Sequence, residues 1–364
     1  MNKAFKKDSL IPVVLYGAGS DLPKILPMLH GGGYKPVCIA DGSREKIGKG
    51  IQGIPIVSPE SIAQYDAKII IITASFFDSI YKRIKELLGK KLDTYTVLVS
   101  PYAWLMLIDV EYDDNLYHNA RSFIEENKEK IKELYDSTDR TTSDILSFFF
   151  NARTEKPYSF CEYSSMKGMQ YIEGYFYKGE LQDIGLFTFI DAGAFIGDTY
   201  EQMKTMYSSQ MLCYYGYEPS EENFRLFSDK LDSLKGNTVI CCRNAALGEA
   251  KETVSFGKSG GCFGAVGSND SEGHESVQVV KLDDEDLSVS GKLVIKMDVE
   301  GSEMSILRGG AETIRKYHPI MAICVYHKYR DIYDLPKFIK DMGLNYRFVL
   351  RSGIHTHLIA FPQD

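Results

Sequence analysis

The chain has 364 residues, with 50 Asp and Glu against 42 Lys and Arg and a formal net charge of −8. At roughly 150 residues per domain this length suggests two domains, and 44% hydrophobic with 25% charged residues is a globular composition, neither disordered nor a small disulfide scaffold. The acidic balance offers no basic stripe to neutralise phosphates, which excludes nucleic-acid binding as the main activity and leaves small molecules, saccharides or proteins as partners.

Seven cysteines at irregular spacing, with no CxxC pair, read as reduced thiols of a cytoplasmic protein. No run approaches the roughly 18 apolar residues of a membrane span. The short apolar stretch near the amino terminus ends in a glycine turn, so it reads as a strand and not a signal peptide.

Residues 1–104 alternate short β-branched runs with helical ones, the pattern of a small Rossmann-like α/β domain. IPVVLYGAG is a first strand entering a tight turn. Ser20 or Asp21 can cap the next helix, Pro23 suits its first turn, Pro27 should shorten or bend it, and HGGG should end it. VCIAD, KIIIITAS and TYTVLVS are further strands, and SIYKRIKELLGK is an amphipathic helix. Gly17 and Gly19 in the turn, with Asp41 after the second strand, invite a dinucleotide reading, an anion at the helix start and a ribose diol on Asp41. Leu22 stands where the third glycine of that fingerprint belongs. The Gly-punctuated phrase DGSREKIGKGIQGIPIVSPESI resembles the nucleotide-sugar-binding domain at the amino terminus of bacterial sugar acyltransferases. That resemblance implies a nucleotide-sugar at Gly17, Gly19 and Asp41; the alternative is a turn that only joins strand to helix in a docking module.

Residues 105–186 lose the β-branched runs and read as a helical connector. Ser122 to Tyr135 is amphipathic, Thr142 can cap SDILSFFFNAR, and Phe148, Phe149 and Phe150 are expected to wedge between the two α/β units. Tyr171, Tyr175, Phe176 and Tyr177 read as packing, with a sugar-stacking platform as the alternative.

Residues 187–364 carry the chemistry. FTFIDAGAFIGDTYEQMKTMY is a buried strand ending at Asp191, a turn with Gly193 and Gly197, and a helix from Asp198. An acid at the strand end can meet a cationic amino group, glycines let backbone approach a ligand, and the helix start favours a carboxylate. This is the charge pattern of the methionine end of S-adenosylmethionine. MLCYYGYEPS places Glu218 where a doubly wound fold puts an acid against a ribose diol. TVICCRNAAL ends at Asn244 and Ala245, beside an adenine. KLVIKMDVEGSEMSILRGG delivers Asp298, Glu300 and Glu303, and IMAICVYHK delivers His327, to the same sheet edge, with a closing antiparallel pair from NYRFVLR and THLIAFP.

FIDAGAFIGDT, YGYEPSEENFRLF, NAALGE, VQVVKLDD and above all IKMDVEGSEMSILRGG resemble, in family order, the FkbM family of S-adenosylmethionine-dependent methyltransferases. DRTTSDILSFFFNAR and MQYIEGYF resemble the helical lead-in of longer bacterial members. The resemblance implies a seven-stranded methyltransferase fold and O-methylation, often of sugar hydroxyls in glycans or secondary metabolites. Carried over by residue, Asp191, Gly193, Gly197 and Asp198 frame the methionine part, Glu218 holds the ribose, and Asn244 with Ala245 borders the adenine. A general base is sought among Asp298, Glu300, Glu303 and His327; Asp298 and His327 follow directly on strands. Glu300 and Glu303 can instead hold the turn and helix start, and His327 can be a structural hydrogen bonder.

Asp283, Asp284, Asp298 and Glu300 could act as oxygen ligands, but acid-rich loops are common in an acidic chain and no metal is assigned. The glycines from Gly257 to Gly273 read as a hairpin tip or a lid. His355 and His357 read as core or surface histidines, without zinc-ligand spacing. Two further readings stay open: an NAD(P)-dependent oxidoreductase using the first sheet, and a non-catalytic nucleotide-sugar-binding or assembly protein of polysaccharide biosynthesis.

Overall fold

The computed structural model describes residues 10–19, 22–31, 33–74, 77–99, 116–152, 158–159, 175–176, 179–233, 237–257, 274–351 and 355–363. The chain separates into two compact units, Met1–Lys128 with Ser147–Gly168, and Glu129–Leu146 with Met169–Asp364. Residues 129–146 and 169–186, whose composition suggests a connector, therefore belong to the second unit. Ser20, Asp21, Tyr171, Tyr177 and the glycine loop at 258–273 lie outside the described residues. Among the described residues no helix is long and apolar enough to cross a membrane.

The first unit is built on β1 (Ile11–Tyr16), α1 (Leu22–Gly31), β2 (Tyr34–Ala40), β3 (Gly50–Ile51), β4 (Ile54–Val57), β5 (Ile69–Ile72), α2 (Phe77–Leu88) and β6 (Thr96–Val99), with β7 (Tyr158–Ser159) added later in the chain. The sheet order is β3-β4-β2-β1-β5-β6-β7. Its centre is parallel, and β3 and β7 run antiparallel at the edges. Central strands such as IIII are continuously apolar because a parallel sheet is covered on both faces. Val13, Leu15, Leu26, Ile39 and Ile71 form a fully buried core.

Pro27 is the sixth residue of the ten-residue α1, which continues four residues beyond it to Gly31. The ring removes the N–H that would bond the carbonyl of Pro23, and the Gln52 side chain donates to that carbonyl instead, at 3.2 Å. α3 (Leu116–Leu134) and α4 (Arg140–Ala152) contribute residues to both units. Thr142 is not the cap of α4: Asp139 Oδ1 accepts the Thr142 N–H at 2.7 Å, and the Thr142 hydroxyl accepts from Leu350 N–H. Phe149 and Phe150 are buried.

The second unit contains β8 (Phe187–Ala192), α5 (Asp198–Tyr207), β9 (Met211–Tyr217), α6 (Glu221–Ser233), β10 (Val239–Arg243), β11 (Ala246–Gly248), β12 (Glu252–Gly257), β13 (His274–Lys281), β14 (Lys292–Met297), α7 (Glu303–Gly309), α8 (Ala311–Tyr317), β15 (Ile320–Cys324), α9 (Asp331–Asp341), β16 (Tyr346–Arg351) and β17 (His357–Pro362). The main sheet has the order β10-β9-β8-β14-β15-β17-β16. It is parallel through β15, and β17 pairs antiparallel with both β15 and β16. β11, β13 and β12 form a separate small sheet. The chain reverses direction across the sheet between β8 and β14, and this switch point is where open α/β sheets bind ligands at their carboxyl edge. β15 ends at Cys324, so His327 lies three residues beyond the strand.

Candidate active site at the second sheet

Asp191 sits near the end of a buried strand and is itself fully buried, in register with Lys296 on β14. The Lys296 ammonium is 3.0 Å from Asp191 Oδ1, and the Tyr214 hydroxyl donates to Oδ2 at 2.7 Å. Lys296 also donates to the carbonyls of Ala192 and Gly193. Burial opposes the charge on Lys296, but Asp191 and Asp298 beside it hold its pKa above the usual lysine range. The cation that meets Asp191 is therefore the protein's own lysine. Asp191 fixes the strand end from beneath and does not present a carboxylate to a ligand.

Above this pair the chain turns sharply. Gly193 has φ +78°, and a Cβ there would stand 1.9 Å from the Asp298 carbonyl oxygen. Glycine is required because the backbones of β8 and β14 meet at this point. Gly197, at φ +81°, precedes α5, and a Cβ there would strike the Phe227 ring at 2.3 Å. Phe195 also adopts a left-handed conformation, φ +48°, and its N–H donates to Glu218 Oε2 at 2.8 Å. Ser220 N–H donates to Oε1 at 2.9 Å. Burial pushes the Glu218 pKa up, and these two donors pull against it.

Asn244 extends from the end of β10 and donates to the carbonyls of Glu218 and Pro219 at 2.9 and 3.0 Å. Ala245 is buried beside it. A cleft of about 840 Å³ opens there, lined by Arg243, Asn244, Ala245, Lys281 and Glu285 among others; Glu218 and Asp298 are not in its walls.

At the ends of β14 and β15 the acids converge on one imidazole. His327 is 1% exposed. Its Nδ1 lies 2.8 Å from Glu303 Oε1, and its Nε2 lies 3.2 Å from Glu300 Oε2 and 3.4 Å from Asp298 Oδ1. Val299 N–H donates to Glu303 Oε1 at 3.1 Å. The Tyr175 hydroxyl donates to Asp298 Oδ2 at 2.6 Å, and the Tyr326 hydroxyl to Oδ1 at 3.2 Å. Burial opposes a charge on His327, yet Glu303, Glu300 and Asp298 hold its pKa well above the histidine range. Burial likewise opposes the Asp298 carboxylate, but Lys296 and His327 hold its pKa below the usual range. Glu300 stands at φ +52°. His357 packs on the Tyr175 ring at 4.7 Å, and burial pushes its pKa down to about 3.

The structure thus gathers Gly193, Gly197, Glu218, Asn244 and Ala245 along one stretch of the edge, and Asp298, Glu300, Glu303 and His327 along the next. Asp198 is exposed at the first turn of α5. Asp283 turns away from the acids: it accepts the N–H groups of Glu312 and Thr313 at the start of α8. Tyr175, expected as packing, and Tyr326 and Lys296 are the site residues that sequence reasoning missed. A lysine inside the apolar run LVIKM was the available signal for one of them, because an unpaired lysine is almost never buried.

In the first unit Asp41 does not stand free. Its Oδ2 accepts Ala18 N–H at 2.7 Å and its Oδ1 accepts Ser43 N–H at 2.8 Å. Lys46 donates to the Ala18 carbonyl at 2.8 Å and lies 3.6 Å from Asp41. Gly17 packs so closely that a Cβ would meet the Ala74 methyl at 2.7 Å, whereas Gly19 faces open space.

Residues 191–348, under half of the chain, match the family model described as the methyltransferase FkbM domain, and the chain carries a domain of that kind there. Residues 11–93 match one described as C2185-like, N-terminal. No curated protein matches the chain. Among solved structures, a methyltransferase FkbM from Methylobacillus flagellatus KT aligns over 97% of this chain and 90% of its own, at 18% identity and a TM-score of 0.66; at that identity the likeness is one of fold. A UDP-D-quinovosamine 4-dehydrogenase from Vibrio fischeri aligns over 25% of this chain and 78% of its own, at 24% identity and a TM-score of 0.22. A precorrin-6y C5,15-methyltransferase from Geobacter metallireducens GS-15 aligns over 50% and 84%, at 12% identity and a TM-score of 0.32.

Proposed function

We propose that the second unit binds S-adenosylmethionine and methylates a hydroxyl oxygen of a saccharide, a nucleotide-sugar or a glycosylated metabolite. The observation that carries this reading is the Glu218 carboxylate, fixed at the end of β9 beside the Gly193–Gly197 turn, next to a cluster of acids at the end of β14. An ionised carboxylate has about four acceptor sites. The N–H groups of Phe195 and Ser220 use two of them and the Asn223 side chain bonds the same carboxylate, so the acceptor capacity that is left suits a ribose hydroxyl.

In this reading Glu218 holds the ribose hydroxyls, Asn244 and Ala245 border the adenine, and the glycine turn lets the backbone run along the methionine part. Asp191 is withdrawn from ligand contact by Lys296. When bound, S-adenosylmethionine supplies a methyl group on a positively charged sulfur. The protein's task is to align an acceptor oxygen with it and to take up the hydroxyl proton. Asp298 and Glu300 are the base candidates, since their side chains are 22% and 20% exposed whereas His327 is 1% exposed. His327 is then a positioning residue between them.

The first unit is proposed to hold the phosphates of a nucleotide-sugar at Gly17 and Gly19. Lys46 at that turn supports this reading, and Asp41 keeps the turn in shape.

Calorimetry with S-adenosylmethionine and, separately, with NAD tests the proposal on the wild type and Glu218→Ala. S-adenosylmethionine should bind and lose at least about tenfold in affinity in the variant. NAD binding without S-adenosylmethionine binding would overturn it in favour of an oxidoreductase. A screen of nucleotide-sugars and oligosaccharides with labelled methyl donor then identifies the acceptor, and methyl transfer to none of them would favour the assembly reading.

A further inference from the structure

We propose that Asp298, Glu300 and His327 form a binding site for one divalent cation, whose open positions take two neighbouring hydroxyl oxygens of the methyl acceptor. The acceptor half rests on the function proposed above, and the cation half stands without it.

One ligand atom from each residue lies within 4.8 Å of the other two. Two ligands each about 2.1 Å from an ion are at most about 4.2 Å apart, and His327 Nε2 meets that limit toward Glu300 Oε2 at 3.2 Å and Asp298 Oδ1 at 3.4 Å. The ring is buried, and its Nε2 faces the Glu300 and Asp298 carboxylates. Its other nitrogen is anchored on Glu303, the carboxylate–histidine arrangement that orients a metal-binding imidazole.

The two oxygen ligands are also fixed from behind. Tyr175 and Tyr326 hold Asp298, and the left-handed backbone of Glu300 aims its side chain. Both carboxylates are partly exposed while the imidazole is covered, so an ion here would be held on its inner side and open on its outer side. Asp298, Glu300 and Glu303 outnumber the nearby Lys296, whose charge is shared with Asp191. One nitrogen and two oxygens suit Mn2+, Fe2+ or Zn2+ better than Ca2+, which takes six or more oxygens. Such an ion polarises a bound hydroxyl and orients it.

The test uses the full chain stripped with a chelator and titrated with Mn2+ alone, followed by electron paramagnetic resonance. The expected result is one bound Mn2+ per chain, with 14N modulation from an imidazole nitrogen. Glu300→Gln should weaken uptake about tenfold while S-adenosylmethionine still binds the variant as it binds the wild type. No uptake by the wild type, uptake without the 14N signal, or equal uptake by Glu300→Gln overturns the cation site. The 14N signal on the wild type decides the matter even if the variant does not fold. Mn2+ bound with 14N modulation and no S-adenosylmethionine binding keeps the cation site and overturns the acceptor half.

Discussion

Leu15 in the first unit and Asp191 in the second occupy the same place, two residues ahead of a glycine turn; across the sheet Leu15 pairs with Ile71 and Asp191 with Lys296. The backbone around them is built alike. Gly17 N–H bonds the carbonyl of Ala40 and Gly193 N–H that of Tyr217, while Thr73 N–H bonds Tyr16 and Asp298 N–H bonds Ala192. Asp41 accepts an N–H from the turn 23 residues earlier, as Glu218 does over the same separation. Each also accepts the N–H two residues ahead. An acid at this position is thus a clamp on the turn before it is a ligand. What distinguishes the units is the side chains: an apolar pair and Thr73 in one, a buried ion pair and Asp298 in the other.

Removing half of that ion pair should have the largest effect. Lys296→Met leaves a buried carboxylate without its cation, a change that costs about 3–5 kcal/mol. Urea unfolding should show it, and the double variant Asp191→Leu/Lys296→Ile, which copies the first unit, should recover most of the loss. If the double variant is no better than the single one, the two sheets are not interchangeable at this position. A smaller effect separates the two clamps. Asp41→Ala and Glu218→Ala each deprive two N–H groups of their acceptor, worth about 1–3 kcal/mol. Only Glu218→Ala should weaken S-adenosylmethionine binding in calorimetry. An equal loss from Asp41→Ala would break the contrast in function while leaving the likeness of fold intact.

The strands and glycine turns were legible because each is a local signal: IPVVLY and FTFIDA are apolar runs ended by glycine, and LVIKM precedes an acid-rich turn. The edge positions of Glu218, Asn244 and Asp298 followed from them. Partnership between distant strands was not legible. Asp191 looked like a ligand for a cofactor's amino group because nothing local tells that β14 places Lys296 beside it in register. Tyr175 was missed for the same reason: its contact with Asp298 spans 123 residues, and an aromatic run reads as packing when its neighbour is unknown. Thr142 looked like a helix cap because Thr often is one, but Asp139 lies where the first free N–H groups point.

Glu300 stands in a left-handed conformation that costs a residue with a Cβ about 1–2 kcal/mol and costs glycine almost nothing. The next residue, Gly301, has a positive φ too, so the turn commits two successive residues to this region and only one of them is glycine. Glu300→Gly should therefore be more stable in thermal unfolding, by about 1 kcal/mol, while losing methyl transfer. That outcome would make this turn a place where thermal endurance is surrendered to keep a carboxylate in position, and a thermostabilising screen that ignored activity would select against the site.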